Sequence, residues 1–217
     1  MSSLAEERRY NYGEYKRLGN IMRRARYEMI DGTVYAMASP SRMHQKMSGE
    51  IFGQLWQFLK GKKCEVYNAP FDVRLFPVGS DDTIVQPDIF VVCDESKHDG
   101  KSIKGPPNFI IEILSESNTQ YDTVVKFGLY QKAGVSEYWI VDPSRRTVEV
   151  YILRDGKYGV GSIYRGYDIV PVRALDGCEI NLADVFGELN EADKIELEKA
   201  LAKLRRTDLE LEPEEEA

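Results

Sequence analysis

The sequence predicts a mixed α/β (α+β) fold, and three observations lead to this prediction. Residues 27–37 have the pattern of a β-hairpin, because their central Asp-Gly pair readily adopts the positive φ angles of a type I′ turn. Residues 42–60 repeat apolar side chains at helical spacing. Residues 109–115 form a short apolar run typical of a buried strand, and a predicted helix at 120–133 follows it. Strands and helices therefore mix along the chain, and no internal repeat is evident.

The 217 residues fit one domain of ordinary size with an added C-terminal segment. Apolar residues make up 42% and charged residues 30%, which favours a globular domain over disorder. We assign residues 1–187 to this domain and residues 188–217 to an acidic C-terminal helix or tail. That segment either packs on a partner subunit, as in a homodimer, or extends into solvent. The apolar side of its predicted helix consists of Ile195, Leu197, Leu201 and Leu204.

The net charge of −7 is unevenly distributed. Residues 1–26 hold seven Arg and Lys against three Glu, whereas residues 188–217 hold five against eleven Asp and Glu. An acidic tail is compatible with a basic surface elsewhere, so the total charge neither predicts nor excludes DNA as a partner. The basic cluster Arg23, Arg24 and Arg26 either contacts phosphates or forms a solvated face.

The first elements follow from local signals. A short helix is predicted around residues 14–18, after an interruption at Asn11-Tyr12-Gly13. The hairpin comes next, and Gly61 is the expected end of the helix over 42–60. His44 lies in the first turn of that helix. The helix pattern favours a surface or capping role for His44. The alternative is that His44 contacts a phosphate or a metal ion.

The middle and C-terminal parts are predicted mainly as strands. Residues 64–68, 71–76 and 84–92 have strand character, with Pro87 at the entrance of a strand, and residues 94–107 form a polar loop. Gly134 is expected to end the helix over 120–133. The remaining elements are strands at 137–143, 147–153, 158–163 and 168–172, and a helical turn at 182–186.

The carboxylate of Glu112 stands in the middle of the apolar run at 109–115. A buried ionised carboxylate is costly, so Glu112 is paired, protonated or a metal ligand. Asp88 opens another predicted strand, and if the two strands are neighbours, both carboxylates can share one divalent cation. Lys126 lies on the following helix, four residues from Asp122 and from Tyr130, so the three share a face. The alternative is that Lys126 forms an ion pair with Asp122 on the protein surface.

These residue types are the minimum set for metal-assisted hydrolysis of a phosphodiester. A cation makes coordinated water more acidic and offsets phosphate charge, and an ammonium orients the nucleophile or stabilises the transition state. An Asp, a Glu and a Lys in this order are also common by chance. Their spacing alone therefore leaves the function open.

The three cysteines and the hydropathy suggest the compartment. Cys64, Cys93 and Cys178 are isolated and lack a C-x-x-C spacing, so reduced structural thiols are expected rather than disulfides or a zinc site. No apolar run is long enough to cross a bilayer, and the N-terminus is polar. We expect a cytoplasmic protein without a membrane partner.

Six sequence blocks, spread over about residues 10–187, occur in a recognisable order. They are Tyr27-Glu28-x-Ile30-Asp31-Gly32, His44, Pro87-Asp88, Ile111-Glu112-Ile113-Leu114-Ser115, Asp122-x-x-x-Lys126-x-x-x-Tyr130, and residues 134–143. In this order they resemble the Uma-two (Uma2) family of restriction-endonuclease-like proteins, which is assigned to the PD-(D/E)XK nuclease superfamily.

The resemblance implies a restriction-endonuclease-like mixed β-sheet flanked by helices, with Asp88 and Glu112 as metal ligands. The superfamily's lysine two positions after the glutamate is absent, because this chain has Leu114 there. The family moves that role to the next helix, which makes it Lys126 here. Glu28 and His44 match further recurrent polar positions of the family.

From the sequence we therefore expect an endonuclease that hydrolyses DNA with Mg²⁺, or Mn²⁺, as cofactor. Its catalytic residues are Asp88, Glu112, Lys126, Glu28 and His44, where Glu28 helps to hold the ligands or a second metal and His44 contacts phosphate. The alternative is an inactive nuclease-fold module that binds nucleic acid or protein. A third reading is a dimerisation protein built on the C-terminal helix.

Overall fold

A computed structural model describes residues 9–21, 26–79, 81–115 and 121–188, together with residues 191, 194, 195, 198 and 199. Within this part of the chain, a 3-10 turn covers Glu95–Lys97, and the π-helical turn Tyr121–Lys126 leads directly into an α-helix. The α-helices described are Tyr12–Ile21 (α1), Arg42–Leu59 (α2), Phe127–Ala133 (α3) and Leu182–Phe186 (α4).

The strands of the described part form three sheets. The small sheet has the order β2-β1-β5-β4-β7, the large sheet has the order β11-β10-β9-β8-β6-β3 with β12 also paired to β10, and β13 pairs with β14. The strands are β1 Arg26–Ile30, β2 Thr33–Met37, β3 Glu65–Asn68, β4 Asp72–Arg74, β5 Ile84–Val85, β6 Ile89–Val92, β7 Ser102–Lys104, β8 Phe109–Ile113, β9 Glu137–Asp142, β10 Thr147–Arg154, β11 Lys157–Tyr158, β12 Ser162–Arg165, β13 Ile169–Val172 and β14 Cys178–Asn181.

The large sheet is covered on both faces. On one face, Ile51 and Leu55 of α2 belong to the same buried cluster as Ile111 and Trp139 of the central strands. On the other face, α3 and the small sheet pack against the alternate side chains of β8 and β9. This arrangement confirms the predicted mixed α/β fold, with a mixed sheet flanked by helices. The members of the second cluster include Val73, Ile110, Leu129, Tyr130 and Tyr138.

The central strand β8 sets the geometry of the polar residues. It runs antiparallel to β6, with Ile89 opposite Ile111, and parallel to β9. Continuing the β6–β8 register by one residue places Asp88 opposite Glu112. Directly opposed residues of an antiparallel pair lie on the same side of the sheet, so the two carboxylates share a face.

Local signals predicted several elements correctly. The hairpin over 27–37 and the helix over 42–60 are confirmed, and the Ser41 hydroxyl accepts the first-turn N–H of His44 as an N-cap. Gly134 ends α3 with a φ of 87°, a left-handed conformation that glycine adopts without steric cost. The expected interruption before α1 is instead its cap, because the Asn11 side chain and Glu14 bond to each other's backbone N–H groups.

Residues 84–92, which were predicted to have strand character with a strand entrance at Pro87, form two strands in different sheets. Gln86, Pro87 and Asp88 separate β5, in the small sheet, from β6, in the large one. Proline has no N–H to donate, so the ladder breaks there. The expected loop over 94–107 was also wrong in part, because it contains the 3-10 turn and β7. The strand β14 is an addition to the predicted set.

The expectation of reduced thiols was wrong for two of the cysteines. Cys64 and Cys93 form a disulfide, while Cys178 is free and buried. The pairing of β3 with β6 places Glu65 opposite Val92, and one further step of this register brings Cys64 opposite Cys93. The two cysteines are 29 residues apart in the chain. Their proximity depends on strand pairing, which spacing along the sequence does not reveal.

Glu137 is a buried carboxylate, and we expect it to make the stability depend on pH. Glu137, at the start of β9, accepts hydrogen bonds from Trp139 Nε1 and Ala174 N at 2.7 and 2.6 Å. Burial raises the pKa of Glu137 from 4.5 to about 7, although these N–H donors favour the carboxylate. The folded state therefore keeps this proton to a higher pH than the unfolded chain does.

We expect Glu137 to lower the free energy of unfolding as the pH rises from about 4.5 to about 7, since the unfolded chain releases the proton first. The Glu137→Gln variant should show a flatter dependence across this window. Urea titrations of both proteins at several pH values measure it. Parallel pH profiles for the two proteins would contradict the assignment.

Several predictions fall on residues outside the described ranges. Arg23, Arg24 and residues 201–217 are among them, so the basic cluster and the tail are not described as units. The division of the chain at residue 187 stays a prediction. None of the helices in the described ranges combines the length and the apolar character needed to cross a bilayer.

Candidate active site

Four of the predicted site residues line one cleft at the edge of β6 and β8. These are His44, Asp88, Glu112 and Lys126, and the cleft measures about 380 Å³ including its open mouth. Glu28, on β1, lies next to the cleft through its contact with Lys126. Each of the five residues is at most 9% exposed. The fold thus brings together residues from two sheets and two helical segments.

Asp88 is held from two sides. Its Oδ2 accepts hydrogen bonds from His44 Nε2 at 3.0 Å and from the backbone N–H of Ile113 at 2.9 Å. Burial by itself raises the pKa of Asp88, but the hydrogen bond and charge of His44, together with the Ile113 N–H, lower it below its ordinary value. Asp88 is therefore ionised, the form in which a carboxylate binds a metal. Within the described residues, its Oδ1 accepts no hydrogen bond.

Glu112 is paired, which answers the question raised by its place in an apolar strand. Its Oε1 accepts hydrogen bonds from Lys126 Nζ at 2.9 Å and from the Tyr130 hydroxyl at 2.6 Å. Burial and the charge of Glu112 raise the pKa of Tyr130 well above its usual value, so the hydroxyl keeps its proton and donates it. Charge-assisted bonds of this kind offset the cost of burying the carboxylate.

Lys126 connects two carboxylates. Its Nζ lies 3.2 Å from Glu28 Oε1, in addition to the contact with Glu112, and Glu28 Oε1 also accepts the backbone N–H of Gln86 at 2.8 Å. These ion pairs stabilise the charged ammonium. Lys126 is the last residue of the π-helical turn before α3, an irregularity that often occurs at functional positions. The sequence predicted that Lys126 and Tyr130, four residues apart, share a face, and both donate to Glu112.

Two of the structural alternatives from the sequence do not hold. His44 is buried and its ring contacts Asp88, so it is not a surface histidine, and only its backbone N–H takes part in capping. Lys126 is 1% exposed, so it is not part of a surface pair. The side chain of Asp122 lies outside the described part of the chain.

Arg26 also lines the cleft, and sequence reasoning did not single it out. It was grouped with the basic cluster at the N-terminus. A usable signal was its position two residues before Glu28 on β1, because residues i and i+2 of a strand point to the same side. The presence of Glu28 near the site therefore indicates Arg26 as well.

The donor set in the cleft fits a hard divalent cation held partly by water. Among the described residues, no group of three or more His, Cys, Asp and Glu side chains is placed to enclose a metal ion. Two carboxylates that reach one cleft suit Mg²⁺ or Mn²⁺, because Mg²⁺ keeps several waters and is bound by one or two carboxylates plus substrate oxygens. A closed zinc site would require four ligands, usually of nitrogen and sulfur.

Comparison with known proteins identifies the family. A sequence model of the Uma2 family, described as "Putative restriction endonuclease", matches residues 12–183. The chain belongs to the Uma2 family. This confirms the resemblance found in the sequence, and the match spans all five residues of the cluster. Membership of this family indicates a nuclease.

Similar proteins come from Synechocystis and Anabaena. Two uncharacterized proteins of Synechocystis, slr1290 and sll1609, are 26% and 27% identical to this chain over 133 and 127 residues. These matches cover 61% and 57% of the chain, and 68% and 70% of the relatives. The crystal structure of a "putative nuclease belonging to DUF820" from Anabaena variabilis superposes with a TM-score of 0.60. It is 20% identical, and the match covers 74% of this chain and 89% of that one, which shows a shared fold.

Proposed function

We propose that this Uma2 protein is a divalent-metal-dependent endonuclease that hydrolyses phosphodiester bonds of DNA, with Mg²⁺ as the first candidate ion and Mn²⁺ as the second. One observation carries the proposal: Asp88, directly before β6, and Glu112, on β8, line one cleft with a buried ammonium. Family membership supports the same reading.

In this proposal Asp88 and Glu112 hold the cation. When bound, the ion makes coordinated water more acidic and offsets negative charge on the phosphate. Asp88 is suited to this task because it is ionised and its Oδ2 is fixed by two donors. Those donors leave Oδ1 for the ion.

Lys126 acts as an ammonium rather than as a base. Two carboxylates lie within 3.2 Å of its Nζ and stabilise the charged ammonium, which has no lone pair with which to accept a proton. A fixed ammonium beside the cleft can orient a water molecule and stabilise the charge that develops on the phosphate. Glu28 positions Lys126 in this account, in place of the second-metal role that the sequence left open.

His44 positions Asp88 instead of contacting phosphate. Its Nε2 donates to the same oxygen that accepts the Ile113 N–H. Removing a group that orients a metal ligand typically lowers metal affinity or activity by about 10- to 100-fold. We therefore expect His44→Ala to weaken Mn²⁺ binding by about this factor, as measured by titration calorimetry. An unchanged dissociation constant would contradict the positioning role.

A second candidate is a nuclease-fold module that binds nucleic acid without cutting it. The absence of the superfamily's lysine two positions after Glu112, where this chain has Leu114, favours this reading. Titration calorimetry with Mg²⁺ and Mn²⁺ separates the two candidates, because a binding module need not hold the ion.

The test of the proposed function is incubation of the purified protein with supercoiled, linear and single-stranded DNA in Mg²⁺, Mn²⁺ or EDTA. We expect nicked or linear products with a metal ion and none with EDTA. Since one site cuts one strand at a time, double-strand breaks would favour a homodimer. Absence of cleavage together with absence of metal binding would reject the nuclease in favour of the binding module.

A further inference from the structure

Arg26 has hydrogen-bonding groups that the fold does not use. It is the first residue of β1, opposite Met37 of β2, and its half-buried side chain lines the cleft together with Asp88 and Glu112. Its Nε and Nη2 atoms are buried and have no hydrogen-bond partner among the described residues. A buried charged donor without an acceptor is costly, so the position requires an explanation.

The carboxylates of the cleft do not serve Arg26. Glu112 Oε1 is engaged by Lys126 and Tyr130, and Asp88 Oδ2 is engaged by His44 and a backbone N–H. Within the described ranges, Arg26 is not part of any salt bridge. The acidic groups of the site thus have cationic partners of their own, and the guanidinium remains for a further acceptor.

We propose that Arg26 binds a non-bridging phosphate oxygen of the nucleic-acid strand in the cleft. The inference rests on the proposed function and adds a positioning residue to it. Guanidinium is planar and always charged, and its parallel N–H groups match two phosphate oxygens. Burial within the cleft wall reduces the competition of water for these donors.

A phosphate contact by Arg26 would offset the negative charge of the site. Two carboxylates, from Asp88 and Glu112, line the cleft, Glu28 lies next to it, and all three repel a phosphate, while Lys126 is already shared between Glu28 and Glu112. Asp88 and Glu112 would hold the cation on one side of the cleft, and Arg26 lies on the hairpin side, where it can contact the phosphate. Among the described residues that line the cleft, Arg26 therefore supplies a fixed positive charge that is not paired with a carboxylate.

The experiment measures binding of a short fluorescent DNA duplex by anisotropy, at several salt concentrations with Mg²⁺. All variants carry Glu112→Gln to prevent cleavage, and a gel of the same samples checks that the DNA is intact. Arg26→Ala, Arg26→Lys and Arg154→Ala are compared. Arg154 is the matched control, because it is exposed at the end of β10 and does not line the cleft.

We expect Arg26→Ala to weaken binding by about 10- to 100-fold and to reduce the slope of log K against log salt by about 0.9, as one lost phosphate contact does. Arg26→Lys should keep the salt slope, and Arg154→Ala should change neither quantity. Equal affinity and slope for Arg26→Ala and Arg154→Ala would overturn the proposal, as would absence of DNA binding by the parent protein.

The readout separates this inference from the proposed function. Anisotropy needs no turnover, so Arg26-dependent binding by a protein that never cleaves DNA would retain the phosphate contact and reject the nuclease. Metal-dependent cleavage at the wild-type rate by Arg26→Ala with Glu112 intact, together with unchanged DNA binding, would retain the nuclease and reject the contact. Calorimetry with Mn²⁺ on proteins that keep Glu112 should show that Arg26→Ala does not weaken Mn²⁺ binding relative to the wild type.

Discussion

Replacing Asp88 by asparagine is expected to weaken Mg²⁺ or Mn²⁺ binding by at least about tenfold and to slow DNA cleavage by about 100- to 1,000-fold. The reason lies in the two donors on Oδ2. His44 Nε2 and the Ile113 N–H require an acceptor, so the amide oxygen of asparagine takes the Oδ2 position. The amide NH₂ then occupies the Oδ1 position, where it repels a cation.

Titration calorimetry gives the metal affinity of this variant, and a plasmid-nicking time course gives its rate. Asp99→Asn is the matched control, because Asp99 also accepts backbone N–H bonds, from Lys101 and Ser102, and lies beside β7 at the other edge of the small sheet. The control should match the wild type in both measurements. Metal binding by Asp88→Asn at wild-type affinity would remove Asp88 from the ligand set.

Replacing Lys126 by methionine should lower the free energy of unfolding by about 3–5 kcal/mol, the usual cost of removing one partner from a buried ion pair. Methionine approximates the length of the lysine stem but leaves Glu28 and Glu112 without their shared cation. Cleavage should also fall by about 100- to 1,000-fold, because the fixed positive charge at the phosphate is lost.

Urea unfolding measures the change in the free energy of unfolding, and a second variant tests whether the unpaired carboxylates cause it. Lys126→Met combined with Glu28→Gln removes one of the unpaired charges and should recover part of the lost stability. Lys132→Met, on the exposed side of α3, should change the free energy of unfolding by no more than about 0.5 kcal/mol. Equal stability of Lys126→Met and Lys132→Met would contradict the buried ion pair.

Local patterns were sufficient for much of the fold. The Asp-Gly turn of the hairpin, the Ser41 cap with its helical apolar repeat, and the glycine after α3 each act within a few residues of the chain. The four-residue spacing of Lys126 and Tyr130 likewise predicted that both would share a face, and both contact Glu112. These features depend on interactions between residues that are close in the chain, so the sequence alone is sufficient to predict them.

Features that depend on contacts between residues far apart in the chain could not be predicted from local patterns. The separation of β5 from β6 places Glu28 within reach of Lys126. Glu28 belongs to the hairpin and Lys126 lies 98 residues later in the chain, and no rule of sequence spacing connects two such positions. The Cys64–Cys93 disulfide and the contact of His44 with Asp88 have the same origin. In each case tertiary packing, rather than local propensity, determines the neighbour.

The most direct test of the central claim is a cleavage time course on supercoiled plasmid with wild-type protein and Glu112→Gln, purified in parallel. The amide oxygen of glutamine can still accept hydrogen bonds from Lys126 and Tyr130, so the change mainly removes the charge. Glu137→Gln, a buried carboxylate on the neighbouring strand, serves as the control. The account predicts metal-dependent cleavage by wild type and Glu137→Gln and none by Glu112→Gln. Equal cleavage by wild type and Glu112→Gln would contradict it.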